Sequence, residues 1–306
     1  MRIGIVTPAF NVASCIGDAI RSVLAQTHQD WTLTIVDDGS TDGTAAIAAD
    51  FNDPRTRLIR QPNAGVSAAR NRGMTETGAG ALLFLDADDW LSPRALATLA
   101  AALEAEPAAV AAVGAYTRVP GPSRVRHPAS GALLRRLLVR NLFANGGHLL
   151  IRHAAIAATG PFHTSLRYGE DWEYWVRLAR LGPFAAARSR EPLLFVRERR
   201  ESACFSMAAR PDSFAPCMNA IFRSHGLEAH VGLGMLAHFR HLAEAENDWI
   251  IGRELIRHGR RAEGRRFLRR SVRAAPGLKR LAMLAAALLP LPRIGPFRPY
   301  SAPETV

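Results

Sequence analysis

The chain has 306 residues, 48 % of them apolar, enough for one large core or for a catalytic domain with a smaller appendage. Its 39 Lys+Arg stand against 27 Asp+Glu, a formal net charge of +12, so it favours anionic partners: phosphates, nucleic acid or acidic lipid headgroups. Cys15, Cys204 and Cys217 are too few and too scattered for a disulfide framework or a cysteine zinc site, and no apolar stretch reaches bilayer-spanning length. Met1 leads straight into Ile3–Val6 without a secretory leader, so a chain of the reducing cytoplasm is expected.

Along the chain, short β-rich runs are expected at Arg2–Thr7, Thr32–Val36, Arg57–Arg60 and Ala81–Leu85. Between the first two, Ile16, Ile20, Val23 and Leu24 share one face of an amphipathic helix, and Leu96, Leu99 and Leu103 repeat the spacing. This alternation predicts an α/β domain with a mostly parallel sheet and helices on its faces. A further strand is expected at Val110–Tyr116, then a Pro/Gly/Arg-rich surface excursion over Arg118–Gly131. A strong helix over Glu170–Leu181 ends at Gly182-Pro183, and a polar loop rich in arginine covers Arg197–Ser206. Beyond it the pattern is helical: Leu255, Ile256, Phe267, Leu268 and Val272 stripe an arginine-laden pair over Arg253–Arg280, punctuated by Gly259 and Pro276.

Three acidic clusters fall where strands or loops meet helices, the places where open α/β sheets bind ligands. In Ile35-Val36-Asp37-Asp38-Gly39-Ser40 a carboxylate can accept from the imide N–H of a uracil or thymine while Gly39 turns the backbone beneath it. The same residues equally suit a turn that caps the helix near Asp42. In Phe84-Leu85-Asp86-Ala87-Asp88-Asp89-Trp90, three acids within four residues repel one another unless a cation or ligand hydroxyl lies between them. Mg²⁺ or Mn²⁺ bridging carboxylate and diphosphate is the natural occupant; helix capping accounts for one acid only, and a calcium loop needs a longer ligand series. In Gly169-Glu170-Asp171-Trp172-Glu173 the acids complement a helix dipole, and a carboxylate among indoles also suits a general base with an aromatic platform for a sugar.

Other chemistries lose support. Gly78-Ala79-Gly80 precedes a strand, so it is no dinucleotide fingerprint, and neither a Walker A loop nor a Gly-x-Ser-x-Gly elbow occurs. His238 and His241 lack a third zinc ligand.

The succession Val6-Thr7-Pro8-Ala9-Phe10-Asn11, Ser22–Thr27, Val36–Thr44, Asn63–Gly73 and Asp86–Asp89 resembles the family 2 glycosyltransferases, the inverting GT-A type. The likeness is dense over the first hundred residues and sparser at Gly160-Pro161-Phe162 and Gly169-Glu170-Asp171. It implies a GT-A, Rossmann-like three-layer sandwich over residues 1–210, with a nucleotide-sugar half at 1–116 and an acceptor half at 117–210, followed by a helical, arginine-rich region at 211–306. It also implies that Pro8, Phe10 and Asp38 frame the nucleobase, that Arg70 lies near the donor, and that Asp86 and Asp88 form the DxD motif, with Asp88 or Asp89 the main ligand of Mn²⁺ or Mg²⁺. Asp171 matches the catalytic base; Glu170, Trp172 and Arg199 are candidate contacts to acceptor or diphosphate.

The expected partners are a nucleotide-sugar donor, probed first as UDP-sugar, and a saccharide, lipid-linked or other hydroxyl acceptor in cell-surface polysaccharide or glycolipid synthesis. A related nucleotidyltransferase would carry a Gly-rich, Arg-containing loop where this chain has Pro8-Ala9-Phe10-Asn11-Val12. A nucleic-acid-binding role leaves the acidic clusters unexplained, so no nucleic acid is expected. The basic C-terminal helices suit a solvated face, a surface that packs on another subunit, or peripheral contact with the anionic inner leaflet.

Overall fold

The computed structural model describes residues 1–121, 124–198, 210 and 212–288. Ten strands lie among them: β1 Ile3–Ala9, β2 Trp31–Asp37, β3 Thr56–Arg60, β4 Ala81–Phe84, β5 Trp90–Leu91, β6 Ala111–Gly114, β7 Tyr116–Val119, β8 Leu149–Arg152, β9 Phe184–Ala187 and β10 Leu194–Arg197. The helices are α1 Ile16–Leu24, α2 Thr44–Ala49, α3 Val66–Thr75, α4 Ala95–Ala105, α5 Leu134–Leu137, α6 His153–Thr159 and α7 Glu170–Ala179, then α8 Ala215–Phe222, α9 Leu227–Val231, α10 Leu233–Arg257, α11 Arg261–Ala274 and α12 Leu278–Leu288.

Seven strands form the main sheet in the order β3-β2-β1-β4-β8-β6-β9, in which β8 runs against β4 and β6 while the other pairs are parallel. Period-two alternation sorts the side chains between its faces. Ile3, Ile5, Ala81, Leu83 and Leu85 join a core with Ile16, Ile20 and Val23 of α1 and Leu96, Leu99 and Leu103 of α4. Val6, Leu82 and Phe84 point the other way, into a core with Leu137, Phe162, Trp172, Trp175 and Leu178. Helices thus cover both faces, as a nearly all-parallel sheet with apolar strands requires.

The first four expected strands coincide with β1 to β4 to within two residues at each end. The single strand expected at 110–116 is divided. At Ala115 the carbonyl turns to accept from Leu193 N at 2.8 Å and Leu194 N at 3.3 Å, which passes the chain from β6 in the main sheet to β7 in a second sheet, ordered β5-β10-β7. The excursion after it doubles back: Tyr116 and Arg126 exchange backbone hydrogen bonds of 3.0 and 2.8 Å.

In the helical part, the expected pair over 253–280 is the end of a longer hairpin, since α10 begins at Leu233, and a third helix, α12, packs on it. The core beneath α7 continues through Cys217, Met218, Ile221, Leu236, Phe239 and Leu255, so buried side chains on both sides of position 210 share one cluster. Among the described residues no helix is long and apolar enough to cross a membrane.

Candidate active site

The carboxyl ends of β1, β2 and β4 lie side by side, and the loops that follow them zip together through side chains. Backbone N–H groups of the first loop donate to the second: Asn11 N to Ser40 Oγ at 3.0 Å, Val12 N to Thr44 Oγ1 at 2.8 Å and Ala13 N to Asp42 Oδ2 at 3.1 Å. Thr41 N answers by donating to Asn11 Oδ1 at 2.9 Å. Asn11 itself takes a positive φ of 51°, which asparagine tolerates better than most residues. Beside this seam Pro8 is buried within β1, whereas the Phe10 ring is 48 % exposed at the mouth of the loop.

Asp38 is buried and its carboxylate gathers the following loop. Gln61 Nε2 (2.7 Å) and Ala64 N (2.9 Å) donate to Oδ1, and Gly65 N (2.7 Å) donates to Oδ2. Gly39 permits the approach: its φ is +78°, and a Cβ there would stand 2.8 Å from Asn63 N. Asp37, just before it, points to Ser40 N (3.2 Å) and Arg60 Nε (3.0 Å), so the doubled acid divides into two inward anchors.

In the second cluster Asp86 and Asp88 are half-buried. Asp89 is 2 % exposed, and its two oxygens accept from Asn145 Nδ2 (2.5 Å) and Arg197 N (2.8 Å). Burial first, then the charges of Asp86 and Asp88, push its carboxyl well above the usual carboxylate range. Asp89, expected as an alternative metal ligand, ties the β4 loop to β10. The same strand end holds the loop from outside, with Arg197 Nε donating to Asp88 O at 3.1 Å and its guanidinium paired with Asp18 at 2.6 Å.

Arg70 on α3 joins the two remaining clusters. Its side chain is 6 % exposed, with Nη2 on Asp86 Oδ1 at 2.9 Å, Nη1 on Glu170 Oε1 at 3.0 Å, and the guanidinium 5.3 Å from the centre of the Phe162 ring. Burial opposes its charge, but the two carboxylates outweigh burial and raise its proton affinity above the ordinary range. Strand alternation explains the meeting: Leu82 and Phe84 face the side occupied by α7, and two residues further on the same parity brings Asp86 there.

Asp171 is half-buried beside Glu170, with Trp172 N on Oδ1 at 2.6 Å and Asn141 Nδ2 on Oδ2 at 3.0 Å. Burial, then the charge of Glu170, push its carboxyl up to about 7, against Arg70 and the two donors, which pull it down. Gly169 opens α7 with φ +76°, and a Cβ there would lie 2.7 Å from Cys217 Sγ, the thiol that donates to Gly169 O at 3.1 Å. The turn that carries Asp171 is therefore seated on α8.

Among the expected contacts, Trp172 does not form the aromatic platform. It is 3 % exposed with Nε1 donating to Leu137 O at 2.6 Å, and Trp175 is 1 % exposed, because the apolar stripe of α7 turns both indoles into the core. Glu173 turns inward as well and pairs with Arg177 at 2.6 Å. Arg199 lies outside the described residues. Sequence reasoning missed Asn141 and Asn145, which hold Asp171 and Asp89; the only local signal is two amides four apart before Gly146-Gly147.

Among the described residues no set of three His, Cys, Asp or Glu side chains is assembled to hold a metal ion. Mg²⁺ and Mn²⁺ shared with a diphosphate need less: one or two carboxylates, with phosphate and water completing the shell. Half-buried Asp86 and Asp88 fit that donor set.

The family model described as Glycosyl transferase family 2 matches residues 4–160. Among curated relatives, the Escherichia coli UDP-Glc:alpha-D-GlcNAc-diphosphoundecaprenol beta-1,3-glucosyltransferase WfgD is 35 % identical over 92 residues, 29 % of this chain and 36 % of that protein. The chain spans only 14–36 % of the length of the curated relatives it matches. Staphylococcus aureus TarS 1–349, solved in complex with UDP-GlcNAc, superposes with a TM-score of 0.65 at 19 % identity over 94 % of this chain and 80 % of that one. The Pyrobaculum calidifontis mannosyltransferase PcManGT, in complex with GDP-Man and Mn²⁺, gives 0.59 at 18 % identity over 93 % and 79 %. The fold is that of the GT-A glycosyltransferases.

Proposed function

The chain belongs to glycosyl transferase family 2, and from that premise we propose that it moves a sugar from a UDP-sugar to an acceptor hydroxyl with inversion at the anomeric carbon. The observation that carries this reading is the Arg70 guanidinium, within 3.0 Å of both Asp86 and Glu170, which draws the donor-side acids and the acids of α7 to one edge of the sheet.

In this reading Phe10 and the loop gathered by Asp38 line the nucleobase site, Phe10 offering an exposed ring for stacking. Asp86 serves the ribose, and Asp88, with Asp86 beside it, would hold a divalent ion, which when bound would supply positive charge for the departing diphosphate. Asp171 takes the acceptor's proton while the acceptor oxygen bonds to the anomeric carbon. The bond from that carbon to the diphosphate oxygen breaks, and its electron pair leaves with the diphosphate. A carboxyl pushed up to about 7 suits a general base near neutral pH. Glu170, paired with Arg70, borders the acceptor side. A lipid-linked or saccharide acceptor in surface polysaccharide synthesis fits the reading, WfgD being named for a diphosphoundecaprenol acceptor.

A screen of UDP-, dTDP- and GDP-sugars for nucleotide release with Mn²⁺ or Mg²⁺ tests it. Metal-dependent turnover of a UDP-sugar, lost in Asp171→Asn, is expected; turnover of no nucleotide sugar and no calorimetric binding of any would overturn the reading.

A further inference from the structure

The last described helix shows two apolar faces, and one of them is bare. Met283, Leu284 and Ala287 of α12 pack on Trp249, Ile250, Ile256 and Leu268 of α10 and α11. On the opposite side Leu278, Leu281, Ala282, Ala285 and Leu288 are exposed, at the i, i+3, i+4, i+7 spacing of a single stripe. The leucines among them are 88, 47 and 49 % exposed.

The two helices that end the described chain are strongly basic. Residues 261–288 hold eight Arg or Lys against the single Glu263, a net +7 of the chain's +12. On α11 Arg266, Arg269 and Arg273 are exposed. Arg265, on the same helix, donates from Nε to Ala287 O at 2.8 Å, which lays the basic helix alongside the end of α12. Lys279 sits over the Trp249 ring at 4.6 Å.

A solvated basic face accounts for the arginines but not for a bare leucine stripe beside them, since water-facing helices are polar on their outer side. We infer that α11 and α12 form a docking surface for an anionic bilayer, with Leu278, Leu281 and Leu288 entering the headgroup boundary and Arg266, Arg269 and Arg273 meeting lipid phosphates. A bilayer supplies together the two things this surface lacks, apolar cover and negative charge, which is the pattern of helices that lie in the interface plane. The inference goes beyond the proposed reaction and does not depend on it.

Co-sedimentation of the full chain with vesicles of phosphatidylcholine, and of phosphatidylcholine mixed with phosphatidylglycerol, tests it. The chain should pellet with the mixed vesicles only, and less as salt rises. Arg266→Gln/Arg269→Gln/Arg273→Gln should weaken partitioning on the order of a hundredfold, at about one kcal/mol per basic residue. Leu278→Ser/Leu281→Ser should weaken it roughly tenfold or more. Both variants should keep the wild-type far-ultraviolet spectrum and vesicle-free turnover, so failure of docking is read apart from failure of the transferase reading. Equal recovery with both vesicles, wild-type partitioning of either folded variant, or a solution dimer that Leu278→Ser/Leu281→Ser dissociates would overturn the inference, the last in favour of a second copy of the chain.

Discussion

Asp38, just after β2, and Asp171, in the first turn of α7, are treated by the protein in opposite ways. Asp38 receives three donors from the loop at 61–65, so its charge is spent on shaping the backbone. Among the described residues Asp171 has one side-chain donor, Asn141, and the N–H of its own neighbour, with Glu170 beside it. A carboxylate saturated by protein donors is an anchor; one buried with few donors and a like charge nearby is left with raised proton affinity, ready to take a proton.

The sharpest way to break the comparison is to remove the under-donated acid. Asp171→Asn should lower kcat by about 10²–10⁴-fold or more while UDP-sugar affinity measured by calorimetry stays near wild type. Wild-type turnover in that variant would make Asp171 another anchor. Next in size, Arg70→Met leaves Asp86 and Glu170 facing each other without their shared cation. A loss of about 3–5 kcal/mol in urea unfolding is expected, as for breaking a buried ion pair.

The paired acids then sharpen it. Asp89→Ala strands Asn145 Nδ2 and Arg197 N and should cost about 1–3 kcal/mol of stability, with Mn²⁺-dependent UDP binding little changed. Asp88→Ala should do the reverse, weakening that binding roughly 10–100-fold at near-normal stability. If the two exchange phenotypes, the metal register moves to Asp89.

The smallest expected effect comes from Asn141→Ala. Without its donor the Asp171 carboxylate is less favoured, so the rising limb of kcat/KM against pH, expected near 7, should move upward by about half a unit to one unit. Stability carries the same signature with the opposite sense. A folded-state value raised from 3.8 to about 7 means the folded chain binds more protons than the unfolded one in that window, so Asp171's contribution to stability falls as pH rises through it. Asp171→Asn should therefore gain stability over wild type at pH 8 relative to pH 5, on the order of 1 kcal/mol, in paired denaturation curves.

Much of this was legible in the chain. β2 and β4 end within a residue of where their apolar runs stop, and the loops after them open with Asp38-Gly39-Ser40 and with Asp86-Ala87-Asp88-Asp89, so acids at the carboxyl edge of a parallel sheet could be read directly. The long C-terminal hairpin was read only in part, because α10 begins at Leu233 in a segment where apolar and polar residues mix without a clean stripe. The partition of function within each acidic cluster was not legible, because Asp37 and Asp38, or Asp88 and Asp89, are chemically identical and differ only in which donors folding brings to them.

Local chemistry alone therefore determined the class of fold, the order of its elements and the three places where acids gather, because strand period, turn residues and helix stripes act between near neighbours. Tertiary structure alone decided which acids meet. Arg70 reaches Asp86 across 16 residues and Glu170 across 100, and the stripe of α7 turns Trp172 and Glu173 inward while leaving Glu170 on Arg70 and Asp171 half-buried beside it. Such choices follow from how a helix is rotated against its sheet, a quantity set by the packing of the whole core and carried by no short stretch of sequence.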